Sequence, residues 1–375
     1  MTVPSVSKVS EPFSIGHVKP QHRVVMAPLT RFRADADNVQ LPMAVEYYSQ
    51  RAAYPGTLII SEATTISPRT AAGFPHAPGM FNEEQIRRWK EITDAVHARG
   101  SYIFCQVVAP GRAGLPEPLR QKGYTLDAPS AIALTGCETP HALTDAEIRE
   151  YIQDFAHAAR CALRAGFDGV EIHGANGYLV DEFTQDNSNQ RTDEWGGSVE
   201  NRSRFGVEVA RAVADAIGPE RTGFRLSPWS KFQDMRMEDP VPQFTDLVRS
   251  LKALDLGFLH IIEARVKNWE DLADAPEKVN FILDVWQNKS VVLLAGGFTP
   301  DNARSYLDGV YKDYNVALVF GRYFVSTPDL AYRIRHGIAP NPYKRESFYT
   351  PMVADGYTDY PFSEEFLAEY PVAAA

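Results

Sequence analysis

A chain of 375 residues that is 44% hydrophobic and 23% charged can bury a large core, as two ordinary domains or as one barrel with extensions. Its formal net charge of -10 makes nucleic acid and anionic membrane poor electrostatic partners. Three cysteines, with no CxxC and no metal-like spacing with histidine, point to a reducing compartment, no bound metal and at most one disulfide pair.

The opening residues MTVPSVSKVSEPF carry no apolar signal core, and no run reaches the roughly 20 apolar residues of a membrane span. The cytosol is therefore the expected location. Residues 1–11 and 365–375 read as loose tails, and PFSIGHV, with Gly16 at its turn, reads as a hairpin capping one end of a barrel. Apolar, β-rich runs then recur at 24–29, 57–62, 102–108, 169–173, 223–226, 258–263, 291–295 and 316–320. Amphipathic stretches of helical length separate most of them, at 83–99, 145–165, 199–217, 243–254 and 277–288. Eight strands alternating with helices predict a single (β/α)8 barrel, an α/β fold, spanning 1–375 as one domain. A Pro- and Gly-rich insertion after the third strand, residues 109–143, is long enough for a lid or pocket wall.

Barrels of this kind place their chemistry where strands end. The fourth strand runs into His173-Gly174-Ala175-Asn176-Gly177-Tyr178, which brings two hydrogen-bond donors and a phenol of ordinary pKa about 10 to one turn. Donors plus a weak acid are what reduction of a double bond beside a carbonyl requires; as plain structure, His173 would cap the turn and Tyr178 would pack. Thr30 and Gln106 end the first and third strands as neutral polar groups. Arg225, near the end of the fifth, is a buried cation that needs an electron-rich partner, a ligand or else Glu171 or Glu263. Gly296-Gly297 after the seventh strand and Gly321-Arg322 after the eighth stand where barrels hold a phosphate on backbone amides.

VVMAPLTR at 24–31, HGANGYLVDEF at 173–183, NQRTDEWGGSVENRSRF at 189–205, GRYFVSTPDL at 321–330 and GYTDYP at 356–361 together resemble the old yellow enzyme family of FMN-dependent ene-reductases. The resemblance runs from about Pro12 to Pro361 and is strongest to the fungal and plant branch, with Thr30 and an HxxN pair; it extends to members in specialised metabolism, including ergot-alkaloid reductases. It implies non-covalent FMN, reduced by NADPH or NADH, passing a hydride from N5 to the β-carbon of an α,β-unsaturated carbonyl. His173 and Asn176 would bind the carbonyl oxygen and Tyr178 would protonate the α-carbon. Thr30 and Gln106 would hold the flavin edge, Arg225 its N1/C2 side, and Pro28, Leu29 and Ala63 the ring system. Gly296, Gly297, Gly321 and Arg322 would take the phosphate, with Phe348 and Tyr349 near flavin and substrate.

One position departs from the family. Val108 stands where an aromatic is common, which predicts room for a bulkier enone or enal unless Trp229 or the Phe348/Tyr349 pair fills the space. The same fold admits a flavin-dependent isomerase, a dehydrogenase or a redox step on a large natural product, and, further off, a barrel that binds a phosphorylated ligand without turnover. Tyr178 favours reduction, because it supplies the proton. Small-molecule partners and a monomer or homodimer complete the expectation.

Overall fold

Eight short parallel strands form a closed cylinder: β1 (Val24–Met26), β2 (Leu58–Ile60), β3 (Tyr102–Val108), β4 (Gly169–Gly174), β5 (Thr222–Leu226), β6 (Phe258–Ile262), β7 (Val291–Ala295) and β8 (Val316–Phe320). Each pairs with the next, and β8 returns to β1, so the sheet has no edge to protect. The computed structural model describes residues 7–264, 266–267, 270–271 and 277–371. All eight expected strands are present, and the fold is the (β/α)8 barrel the alternation implied.

Side chains alternate across the wall with the two-residue period of a strand. On β3, Cys105 and Val107 join the large cluster between barrel and helices, while Phe104 joins a smaller cluster with Leu58, Phe258 and Val291 inside the barrel. Phe13, Ile15 and Val18 belong to that inner cluster too. They come from the N-terminal hairpin, where Ile15 bridges Val18 around Gly16, so the hairpin plugs the end of the barrel at which the strands begin. Chemistry is thereby left to the opposite end.

Long helices cover the outside, among them Glu83–His97, Asp145–Arg164 and Val199–Ile217. Their starts are fixed by side chains that satisfy free amides: Asn82 accepts from the Gln85 N–H, Ser198 from that of Asn201, and Thr144 with Glu147 forms a reciprocal box. The helix expected from 243 begins earlier, at Pro240, because Asp239 caps it and proline suits a first turn. Gln287 and Asn288, both at positive φ, end the Asn280–Trp286 helix short of the expected 288.

The insertion after β3 is a built layer, with a helix at Pro116–Gln121 and a pairing of Asp127–Ala128 with His141–Ala142. Of the expected loose tails, 1–6 and 372–375 lie outside the described residues, and the parts at 7–11 and 365–371 are structured. Val9 is buried in a turn over Lys8–Ser10, and Glu364–Glu369 is a helix that buries Phe366 against Tyr332. Apolar residues at one-turn spacing had partners on the barrel that a local reading does not reveal.

Candidate active site

β4 delivers the central turn. Within it, Asn176 (φ 59°) and Gly177 (φ 74°) are consecutive left-handed residues, and they swing the chain back so that Tyr178 returns over His173. The His173 and Tyr178 rings meet edge to face, 4.8 Å between centroids. His173 points inward from β4 and is buried, and its Nδ1 has no partner among the described residues. Burial, then Arg225 and His260, hold its pKa well below the ordinary value, so the ring is neutral at physiological pH. Burial raises the Tyr178 phenol, against a lowering contact from the Gln233 amide, so it stays protonated.

Beneath the turn lies a layer of inward polar groups. Gln106 on β3 donates from Nε2 to Glu171 Oε1 on β4 at 2.7 Å, and the other Glu171 oxygen meets His260 Nδ1 of β6 at 2.8 Å. Glu171 is thus engaged by two other groups, and Glu263, the second carboxylate considered for Arg225, accepts from the Tyr311 hydroxyl. Arg225 is buried next to this layer with no hydrogen bond or ion pair among the described residues, and its Nε is unpartnered. A buried cation without a hydrogen-bonded anion is expensive, so an electron-rich group from outside the chain is the natural partner.

The remaining expected positions surround this layer at the same end of the barrel. Pro28, Leu29 and Thr30 follow β1 and are half-buried, and Ala63 follows β2 and is buried. Gly296 (φ 111°) and Gly297 (φ 67°) follow β7, and Gly321 and Arg322 follow β8, its neighbour in the sheet. A side chain at Gly296 would crowd the Glu263 backbone at 3.1 Å, whereas at Gly321 the nearest contact would be Leu29 at 3.4 Å. Glycine is thus required at Gly296, by its positive φ and by the close backbone, whereas Gly321 has a negative φ and room for a side chain.

Val108 ends β3 on the inward face opposite Thr65, and it is fully buried. Trp229 does not stand beside it; its ring faces Phe281 and its Nε1 donates to the Lys278 carbonyl. Phe348 is buried, whereas Tyr349 is 47% exposed at the rim. A chain of rings links that rim to the turn, from Tyr349 through Phe32 and Phe74 to Tyr178, with centroids 6.1, 5.5 and 6.2 Å apart. Phe32, Phe74, Gln233, Ser227 and Asp181 are absent from the sequence-level candidates. Asp181 had one local signal, a carboxylate four residues beyond Gly177 on the helix that follows.

The residues fit the FMN implied by the resemblance. Unpartnered nitrogens on Arg225 and His173 and the amide of Gln106, whose Nε2 is held by Glu171, suit the polar edge and face of a heterocycle, and the glycines of β7 and β8 with Arg322 suit a phosphate. Among the described residues no group of three His, Cys, Asp or Glu could hold a metal, and no helix is long and apolar enough to cross a membrane.

Comparison with known proteins identifies the family. Residues 8–341 match the sequence model of the NADH:flavin oxidoreductase / NADH oxidase family. An NADP-dependent oxidoreductase of Aspergillus flavus is 52% identical over 98% of this chain and 99% of its own, and a chanoclavine-I aldehyde reductase of Penicillium roqueforti is 49% identical over 98% and 100%. A probable inactive reductase of Epichloe festucae var. lolii is 47% identical over 97% and 98%. Among solved structures, an Old Yellow Enzyme from Pichia sp. superposes with a TM-score of 0.87 at 34% identity, covering 96% of this chain and 94% of the other.

Proposed function

The chain belongs to the NADH:flavin oxidoreductase / NADH oxidase family and is an oxidoreductase of the old yellow enzyme type, and from that premise we propose that it is an FMN-containing, NAD(P)H-driven ene-reductase. Its substrate is an α,β-unsaturated carbonyl compound, an enone or enal. The observation that carries this reading is the pairing of a neutral, unpartnered His173 with a protonated Tyr178 above the unpartnered Arg225. Names of the relatives favour NADPH as reductant and an aldehyde-bearing natural product as substrate.

When bound, FMN supplies the electron pair that it has taken from NAD(P)H. His173 donates to the substrate's carbonyl oxygen as a neutral imidazole, and Asn176 adds its amide N–H, so negative charge that gathers on that oxygen meets fixed donors. Tyr178 holds a proton for the α-carbon and regains it from solvent after turnover. Arg225 would balance negative charge on the reduced cofactor, Thr30 and Gln106 would hydrogen-bond its polar edge, and Gly296, Gly297, Gly321 and Arg322 would hold its phosphate. Pro28, Leu29 and Ala63 supply apolar contact to the ring, Val108 the inner wall, and Phe348 and Tyr349 the outer one. We read residues 1–375 as one catalytic unit, cytosolic and monomeric or homodimeric.

Tyr178→Phe in FMN-loaded protein tests the assignment by separating the two half-reactions. Reduction of the flavin by NADPH, followed anaerobically by its loss of absorbance, keeps its rate, whereas reoxidation by an enone slows by roughly 10²-fold or more. Equal slowing of both would remove Tyr178 as proton donor. Protein that stays colourless after incubation with FMN would remove the flavin reading itself.

A further inference from the structure

Asp181 lies directly beneath the donor turn, on the short helix Leu179–Thr184, and is fully buried. Its Oδ2 accepts the Gly177 N–H at 2.9 Å and the Ser227 hydroxyl at 3.5 Å, and Ser227 Oγ in turn accepts the Asn176 N–H at 2.7 Å. Its Oδ1 accepts Gln185 Nε2 at 2.8 Å. The Gln185 amide cannot turn over without loss, because its Oε1 already accepts the backbone N–H groups of Arg236 and Met237 at 3.0 and 2.9 Å. Both carboxylate oxygens are therefore required as acceptors, one for the turn and one for the segment after β5.

The two elements joined this way are both held in unfavourable backbone. Asn176 on one side, and Gln233, Asp234 and Arg236 on the other, are non-glycine residues at positive φ, each of which needs its surroundings to hold it there. They also touch: a Cβ on Gly177 would lie 2.7 Å from Met235 Cγ and 2.8 Å from Gln233 Cβ, so only glycine lets the segment settle on the turn. Through that contact the Gln233 amide faces the Tyr178 phenol.

We propose that Asp181 is a positioning residue, whose carboxylate clamps the turn bearing Asn176 and Tyr178 to the segment 227–237 and thereby aims the oxygen-binding amide and the phenol. The proposal rests on the ene-reductase reading for the roles of those two groups. Burial pushes the carboxyl up to about 6, with the Gln185, Gly177 and Ser227 donors pulling the other way. Charged groups reach it from two sides: Arg112 of the insertion favours the ionised form, and on its own helix lies Glu182, a buried carboxyl held well above the ordinary range by burial first and then raised further by Asp181 itself. In the overlying segment, Asp234 is engaged with the Thr135 amide and Arg236 with Glu277. A proton on Asp181 removes one of the two acceptors, so the clamp slackens as pH falls through the range just below neutrality.

Asp181→Asn in FMN-loaded protein tests this, since the amide keeps the shape and supplies one acceptor only. Flavin uptake and reduction by NADPH are expected to match the wild type, while reoxidation by 2-cyclohexen-1-one slows at least about tenfold. The wild-type reoxidation rate falls on acidification below about pH 6.5, and that limb is absent in the variant. Amide hydrogen exchange over 175–186, corrected for intrinsic rate, rises at least about fivefold in the variant at neutral pH and in the wild type at about pH 5. A variant with wild-type exchange and an intact acid limb would overturn the clamp. If Asp181→Asn does not fold, Ser227→Ala withdraws one donor from the carboxylate, and the acid limb must then move to higher pH; an unmoved limb overturns the proposal equally. Failure of the ene-reductase reading shows elsewhere, as unaltered enone reduction in Tyr178→Phe with the exchange result standing.

Discussion

His173 and Tyr178 are five positions apart in the chain and in ring contact at the mouth, and burial acts on them to one end. It lowers a base and raises an acid, so both stay neutral across the physiological range, one able to donate to an oxygen without carrying charge and the other to give up a proton. In Asp181→Asn, which lacks the acid limb of the clamp, enone-driven reoxidation should therefore be flat from about pH 5.5 to about pH 9, without the step near 6.5 that an ordinary imidazole would give. Stopped-flow rates across that interval check it, and an inflection near 6.5 that persists in Asp181→Asn would mean that His173 titrates after all. Much of this scale was legible in the sequence, because His173, Asn176 and Tyr178 share one turn. Asp181 was not, since its meaning lies in Ser227 and in Gln185, whose own partners are some fifty residues away at Arg236 and Met237.

At the scale of elements, the strands announced themselves, since a buried β-run is apolar on both faces and is bounded by turn residues. The seating of the late segment that carries Phe348 and Tyr349 did not. It is held by two buried arginines that follow β1: Arg33 donates to the carbonyls of Ser347, Phe348, Val353 and Asp355, and Arg31 to those of Phe348 and Gly356. Sequence shows the arginines, but a guanidinium that serves backbone carbonyls has no complementary residue type to search for. Arg33→Met keeps the volume and frees these carbonyls, which should weaken the attachment of 345–357 by on the order of 2–3 kcal/mol while the barrel stays folded. Limited proteolysis should then cut within that segment in the variant and spare it in the wild type. Equal resistance would mean that Arg31 and the stacked Tyr47 and Tyr357 rings, 4.0 Å apart, hold it alone.

For the molecule as a whole, the polar layer inside the barrel sets stability against function. Arg225 is disfavoured by burial more than it is favoured by Glu171, whose oxygens are already bonded to Gln106 and His260. Without cofactor, then, the fold holds a cation that it does not fully compensate, and replacing it with an apolar side chain of similar length should stabilise the protein. Arg225→Met is expected to raise the melting temperature of cofactor-free protein by roughly 1–4 °C, for a gain of about 1–3 kcal/mol. The difference narrows when FMN is added. At a hundred times its dissociation constant a ligand stabilises the wild type by about 2.7 kcal/mol, whereas the variant, lacking the partner for the electron-rich edge, binds less and gains less at the same concentration. Parallel melting curves with and without FMN measure both quantities. If cofactor-free Arg225→Met melts below the wild type, the arginine supports the barrel through Glu171; if the FMN-induced shift is the same in both proteins, Arg225 does not face the flavin.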